Sequence, residues 1–104
     1  ICYAEVLASS MKFRDAWLEA FWRDPVSGFS PRIPADVRKV LLRKLQMLDA
    51  ACSTCDLRVP PSNHLEKLQG DRFGQYSIRV NRQWRLCFVW SDNEAQEVEL
   101  CDYH

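Results

Sequence analysis

The chain has no apolar run approaching the roughly 18 residues that a membrane-spanning helix requires. It has no net charge either: 14 Lys and Arg stand against 14 Asp and Glu. Internal repeats and low-complexity tracts are also missing. The opening Ile1-Cys2-Tyr3-Ala4-Glu5-Val6-Leu7-Ala8-Ser9-Ser10 lacks the basic start and the apolar length of a signal peptide. The five cysteines lack framework spacing, and an odd count argues against a secreted disulfide scaffold. Cys52-Ser53-Thr54-Cys55 has no second pair at zinc-knuckle spacing, because Cys87 and Cys101 are too far apart. Nor does it follow a strand and open a helix, as a thioredoxin-like site would; it closes a helical stretch instead. These absences lead to the expectation of a cytoplasmic protein with no membrane partner, no cofactor and no metal. Its cysteines are read as incidental, with a metal or redox role for the C-x-x-C as the alternative.

At 104 residues, 47% of them hydrophobic and four of them Trp, the chain suits one small folded domain. Its charge is unevenly distributed. Residues 58–85 hold Arg58, Lys67, Arg72, Arg79, Arg82 and Arg85 against Glu66 and Asp71 only, a local balance of about +4. Residues 86–104 hold Asp92, Glu94, Glu97, Glu99 and Asp102 and no Lys or Arg. A neutral total is therefore compatible with an anionic ligand on the basic segment.

Lys12 to Asp24 reads as a first helix, with Phe13, Trp17, Ala20 and Phe21 on one face and Pro25-Val26-Ser27-Gly28 ending it. A loop runs through Phe29 to Ile33. Pro34 suits the first turn of a second helix reaching about Ala51, with Asp36 near its positive end. Val37, Val40, Leu41, Leu45 and Leu48 form its apolar stripe, and Arg38, Lys39, Arg43 and Lys44 lie mostly elsewhere. That basic face is either a solvated side or an RNA or partner surface. After the stiff Pro60-Pro61-Ser62-Asn63 connector come a short extended piece, Leu65 to Leu68, and a turn at Gly70 to Gly74. Three strands of a meander follow: Gln75–Val80, Gln83–Trp90 and Ala95–Cys101.

Alternation places Tyr76, Ile78 and Val80 on one face, and likewise Trp84, Leu86, Phe88 and Trp90. A three-residue loop centred on Arg82 would set Ile78 opposite Leu86 and Arg79 opposite Arg85, whereas a two-residue loop would undo that register. Facing like charges are costly without an acid between them. Glu97 or Glu99 could neutralise the pair, or the pair could await a phosphate, whose oxygens suit the guanidinium fork. The sequence closes on Asp102-Tyr103-His104, a carboxylate, a phenol and an imidazole. Taken alone this triplet reads as a frayed polar tail. Metal-free RNA cleavage, however, needs a base for the ribose 2′-OH, an acid for the departing 5′-oxygen and cations for the phosphate.

The stretch from Leu65 to Phe88, LEKLQGDRFGQYSIRVNRQWRLCF, together with the terminal Asp102-Tyr103-His104, resembles HigB toxins of the RelE/ParE toxin–antitoxin superfamily. The resemblance extends upstream through Phe13-Arg14-Asp15-Ala16-Trp17 and Pro34-Ala35-Asp36-Val37-Arg38-Lys39. It covers nearly everything after Met11, giving one toxin domain over 11–104 and an extension or tail over 1–10. It implies an α+β, microbial-ribonuclease-like (RelE-like) fold, two N-terminal helices packed on a twisted antiparallel sheet. It implies an endoribonuclease that cuts mRNA in the ribosomal A site, without a metal, and so inhibits translation. The implied partner is a HigA-type helix-turn-helix antitoxin, with operator DNA engaged only through the toxin–antitoxin complex.

Carried over to this chain, Arg85 matches the arginine expected to stabilise charge on the scissile phosphate, and Asp102, Tyr103 and His104 match the catalytic triplet. Arg72, Arg79, Arg82, Lys67 and His64 are the further substrate-contact candidates. Some relatives have His at the position of Glu66 and Lys at that of Gln69. His64 could replace the first if the segment is extended, and Lys67 the second if the backbone turns. Two other readings stand beside this one: a non-catalytic ParE-like toxin that binds DNA gyrase, and a toxin whose activity has weakened.

Overall fold

The computed structural model describes residues 11–26 and 33–102. In chain order these form helix α1 (Ala16–Arg23), helix α2 (Ala35–Ala50) and strands β1 (Glu66–Lys67), β2 (Gln75–Arg79), β3 (Trp84–Ser91) and β4 (Glu94–Asp102). Three short 3-10 turns, Thr54–Arg58, Pro61–Asn63 and Gly70–Arg72, separate α2, β1 and β2. The strands make one antiparallel sheet in the order β1-β2-β3-β4. Two helices on such a sheet make an α+β fold. Among the described residues no helix is long and apolar enough to cross a membrane.

The first helix starts four residues later than its hydrophobic spacing predicts. The backbone before it is occupied: Lys12 N–H donates to Ala95 O (3.2 Å), Arg14 N–H to Val98 O (2.9 Å), and Val98 N–H to Lys12 O (3.0 Å). Phe13 thereby pairs with Val98 in a parallel bridge along the outer edge of β4. Asp15 then stands at the N-cap position of α1, but its carboxylate accepts the N–H of Leu100 (3.1 Å) rather than a helix N–H. With the start moved, Leu18 and Phe21 become the buried pair, and Ala20, expected inside, faces solvent.

In α2 the expected stripe is inside at Val37, Leu41, Leu45 and Leu48, with Val40 partly buried. Lys44, expected with the basic face, is buried as well. Its ammonium donates to the side-chain oxygen of Asn63, itself fully buried. The Asn63 amide in turn donates to Leu57 O (3.1 Å) and Val59 O (3.4 Å). Burial, reinforced by neighbouring Arg43, holds the Lys44 pKa below its ordinary value. One polar hub thus ties α2 to the segment between helix and sheet, supplying partners to groups that burial would otherwise penalise.

The β2–β3 hairpin has the expected three-residue loop. Val80 N–H reaches Trp84 O (2.9 Å), Ile78 stands opposite Leu86 and Arg79 opposite Arg85. Asn81 shapes the turn, its side-chain oxygen accepting N–H from Gln83 and Trp84 (both 2.8 Å). β3 and β4 are joined through Asp92 and Asn93, both at positive φ, which suits a tight two-residue hairpin turn. The β3–β4 register shifts between Cys87 and Val89, where Glu97 takes φ +52°, the signature of a bulge. Ile78, Leu86, Phe88, Val98 and Leu100 pack with the helices into one core. The opposite face of the sheet is left for polar residues.

Candidate functional site

That polar face is organised around Arg85, which is 5% exposed and not the open cation that alternation alone suggests. Its Nε donates to Ser77 Oγ (2.8 Å), and its Nη2 donates to His64 O (2.6 Å) and Ser77 O (3.4 Å). Glu66 on β1 approaches Nη2 to 3.6 Å. Burial follows from β1 and the turn before it folding over the arginine: Glu66 stands opposite Ser77, and Ser77 opposite Cys87. The facing Arg79 eases the like-charge contact by donating its Nε to Asn81 O (3.1 Å), at the hairpin loop.

The acid beside Arg85 is therefore Glu66, and neither Glu97 nor Glu99. The bulge removes Glu97 from regular pairing, and Glu99 stands opposite Cys87 rather than Arg85. Glu99 takes two other arginines, Arg72 at 2.8 Å and Arg14 at 3.4 Å. Arg72 also donates to Gln75 Oε1 (3.1 Å), and its pKa is raised chiefly by the hydrogen bond to Glu99. Arg72 is thus committed to a carboxylate on the same face.

Of the other candidates, Arg82 is exposed at the hairpin tip. Asp102 ends β4 opposite Trp84, one residue out of phase with the Arg85–Cys101 pair and so on the other face of the sheet, and its carboxylate accepts from Gln83 Nε2 (3.3 Å). Tyr103 and His104 lie outside the described residues. His64 is not in an extended segment: it ends a 3-10 turn in the left-handed conformation (φ 45°) and reaches Arg85 through its carbonyl. Lys67 is not brought to Arg85 either. It stands opposite Tyr76, one residue out of phase with Glu66, and so belongs to the other face of the sheet.

Sequence reasoning set aside two residues of this face. Cys87, buried on β3, and Cys101, half-buried on β4, are free thiols that interact with one another. The hydrogen bond from Cys101, aided by Arg72 and Arg85, holds the Cys87 thiol below its usual pKa despite burial, while Cys101 is pushed up. Period-2 alternation put both on the arginine face, but their separation in sequence hid their proximity. Cys52 and Cys55 are exposed free thiols beside the turn held by Asp56, whose carboxylate accepts the N–H of Cys52 (2.8 Å) and Ser53 (3.3 Å). Among the described residues no group of three or more His, Cys, Asp or Glu is placed to hold a metal ion.

The fold is shared with solved structures of a toxin–antitoxin complex. The YoeB-YefM complex from Staphylococcus aureus is similar with a TM-score of 0.59 at 21% identity, covering 93% of this chain and 98% of that one. At that identity the likeness is one of fold. Residues 11–104 match the model of the RelE-like toxin of type II toxin–antitoxin system HigB, and the chain belongs to that family. Toxin HigB-1 of Vibrio cholerae serotype O1 is 45% identical over 91 residues, 88% of this chain and 94% of that protein. Endoribonuclease HigB of Proteus vulgaris is 31% identical over 77 residues, 74% of this chain and 83% of that protein.

Proposed function

We propose that the chain is the toxin of a type II module and acts as a ribosome-dependent mRNA endonuclease, inhibiting translation. Arg85 carries the reading: a buried guanidinium, aimed by Ser77 and the His64 carbonyl, opposite Cys101 on β4, one residue before the Asp102-Tyr103-His104 triplet. An arginine fixed in this way can stabilise charge on a phosphate with little reorganisation. His104 serves as base or acid, since imidazole titrates near neutrality. In the reaction a base removes the ribose 2′-OH proton, the 2′-oxygen attacks phosphorus, and the 5′-oxygen leaves with a proton from the acid. Asp102 and Tyr103 position mRNA and support the proton transfers, while Arg79 and Arg82 supply further phosphate contacts from the hairpin.

The partners in this reading are the ribosomal A site with its mRNA and a HigA-type helix-turn-helix antitoxin in the cytoplasm, with operator DNA reached only through the toxin–antitoxin complex. Support comes from the family match, from the relative named an endoribonuclease and from the antitoxin present in the similar solved complex. A second reading, a toxin of weakened activity, is favoured by Glu66, which sets a carboxylate against Arg85. Translation in vitro of a defined mRNA, with cut sites mapped with and without ribosomes, tests both. Cleavage only on ribosomes, lost in His104→Gln, is expected; equal cleavage by His104→Gln would overturn the assignment. Intact mRNA together with inhibited DNA supercoiling by gyrase would point instead to a ParE-like binding toxin.

A further inference from the structure

Lys67 faces away from Arg85 and into a separate surface cavity. This cavity, about 490 Å³, is lined by Thr54, Arg58, Leu65, Lys67 and Tyr76, and lies where the 3-10 turn after α2 meets the β1–β2 edge. Its volume is in the range of small-ligand sites. Among the described residues no carboxylate lines it: Asp56, on the same turn as Arg58, is committed to the N–H groups of Cys52 and Ser53, and Glu66 is turned to Arg85. Arg58 and Lys67 form no ion pair among the described residues, whereas Arg14, Arg23, Arg72 and Arg85 each do. The third wall is aromatic. Tyr76 stacks on buried Phe88 at 6.2 Å and 21°, which fixes its ring beside the two cations.

We infer that this cavity binds one nucleotide of an RNA strand, with the phosphate on Arg58 and Lys67 and the base against Tyr76 and Leu65. The inference rests on the RNA-cleaving reading above and deepens it. Two cations without an acid suit a phosphate, and a braced aromatic ring suits a base, since every base has a stacking face. Placement supports the same strand reaching both sites. β1 is a two-residue edge whose successive side chains, Glu66 and Lys67, face Arg85 and the cavity in turn. RNA crossing this edge can place one phosphate near Arg85 and a flanking nucleotide in the cavity.

The test is anisotropy of a fluorescein-labelled, fully 2′-O-methylated RNA decamer, which cannot be cleaved, titrated with the full chain over a range of salt. Arg58→Ala/Lys67→Ala is expected to raise Kd at least tenfold and to flatten the slope of log Kd against log salt by about 0.7, the contribution of one phosphate on a single strand. Tyr76→Leu should weaken binding at least fivefold with an unchanged slope, and Arg58→Lys/Lys67→Arg should restore it. Circular dichroism of each variant controls for folding. Unchanged affinity and slope in the double alanine variant, with wild-type binding present, would overturn this inference alone. Failure of the wild type both to bind the decamer and to cut mRNA in translation would overturn it together with the ribonuclease reading. Loss of antitoxin binding with RNA affinity intact would also overturn it, assigning the cavity to an acidic peptide. Pelleting with vacant and mRNA-programmed ribosomes identifies the strand. A defect on programmed ribosomes alone assigns the nucleotide to mRNA, and a defect on both assigns it to ribosomal RNA.

Discussion

Glu66 and Arg85 meet at 3.6 Å across the boundary between solvent and interior, the carboxylate about half exposed and the guanidinium almost fully covered. The contact sets an anion where the proposed reaction needs a phosphate. Glu66→Gln should therefore strengthen binding of the uncleavable decamer by roughly three- to tenfold and steepen its salt dependence. The cost in stability should stay below about 1 kcal/mol, because the acid is well solvated. Weaker RNA binding in Glu66→Gln would show that the carboxylate assists the substrate.

Arg85 itself serves the fold as well as the proposed chemistry. Arg85→Ala strips partners from Ser77 and from the His64 carbonyl, and urea unfolding should show a loss of roughly 2–4 kcal/mol. Arg85→Lys is the cleaner probe. It keeps the charge but loses the fork, so mRNA cleavage should fall at least about a hundredfold with a smaller loss of stability. Near-normal cleavage by Arg85→Lys would remove Arg85 from the catalytic role.

The Lys44–Asn63 hub can be read through pH. Burial holds the Lys44 pKa below its ordinary 10.5, so between the two values the unfolded chain binds more protons than the folded one. Its contribution to stability therefore rises as pH climbs through that window and levels off above 10.5. The rise should be absent from Lys44→Met and so appear in the difference between wild type and variant, measured by urea unfolding at several alkaline pH values. An identical pH dependence in both proteins would contradict it.

Asn63→Ala deprives Lys44 of an acceptor and two carbonyls of a donor, all in a buried setting. A loss of about 2–3 kcal/mol is expected in the urea midpoint. A loss under about 0.5 kcal/mol would mean that water replaces the amide without penalty.

The sheet was readable from the sequence because its rules are local. Asn81-Arg82-Gln83 set the hairpin register, and alternation then put Ile78 opposite Leu86 and Arg79 opposite Arg85. The misplacements come from contacts distant in sequence. Lys12 and Arg14 read as helix, since nothing nearby announces that their backbone is spent on Ala95 and Val98. Lys44 read as solvated, because its partner Asn63 belongs to a later turn. His64 was expected in an extended segment and Lys67 at the site only if the backbone turned; instead His64 takes a left-handed backbone and offers Arg85 its carbonyl, and the β1 phase puts Lys67 on the other face. The arginine face was visible in outline, but its occupation by Glu66 and Ser77 was not.

The pairing of residues 12–14 with β4 bears on how open the sheet is to other chains. An uncovered sheet margin is a template for pairing with other chains. Here part of one margin, at Ala95 and Val98, is taken by the chain's own backbone, and the other is a strand of two residues, Glu66 and Lys67. Among the described residues, both margins are thus shortened as templates for a copy of the chain. Recognition is thereby shifted from backbone to side chains, which can discriminate between partners where a bare strand edge cannot.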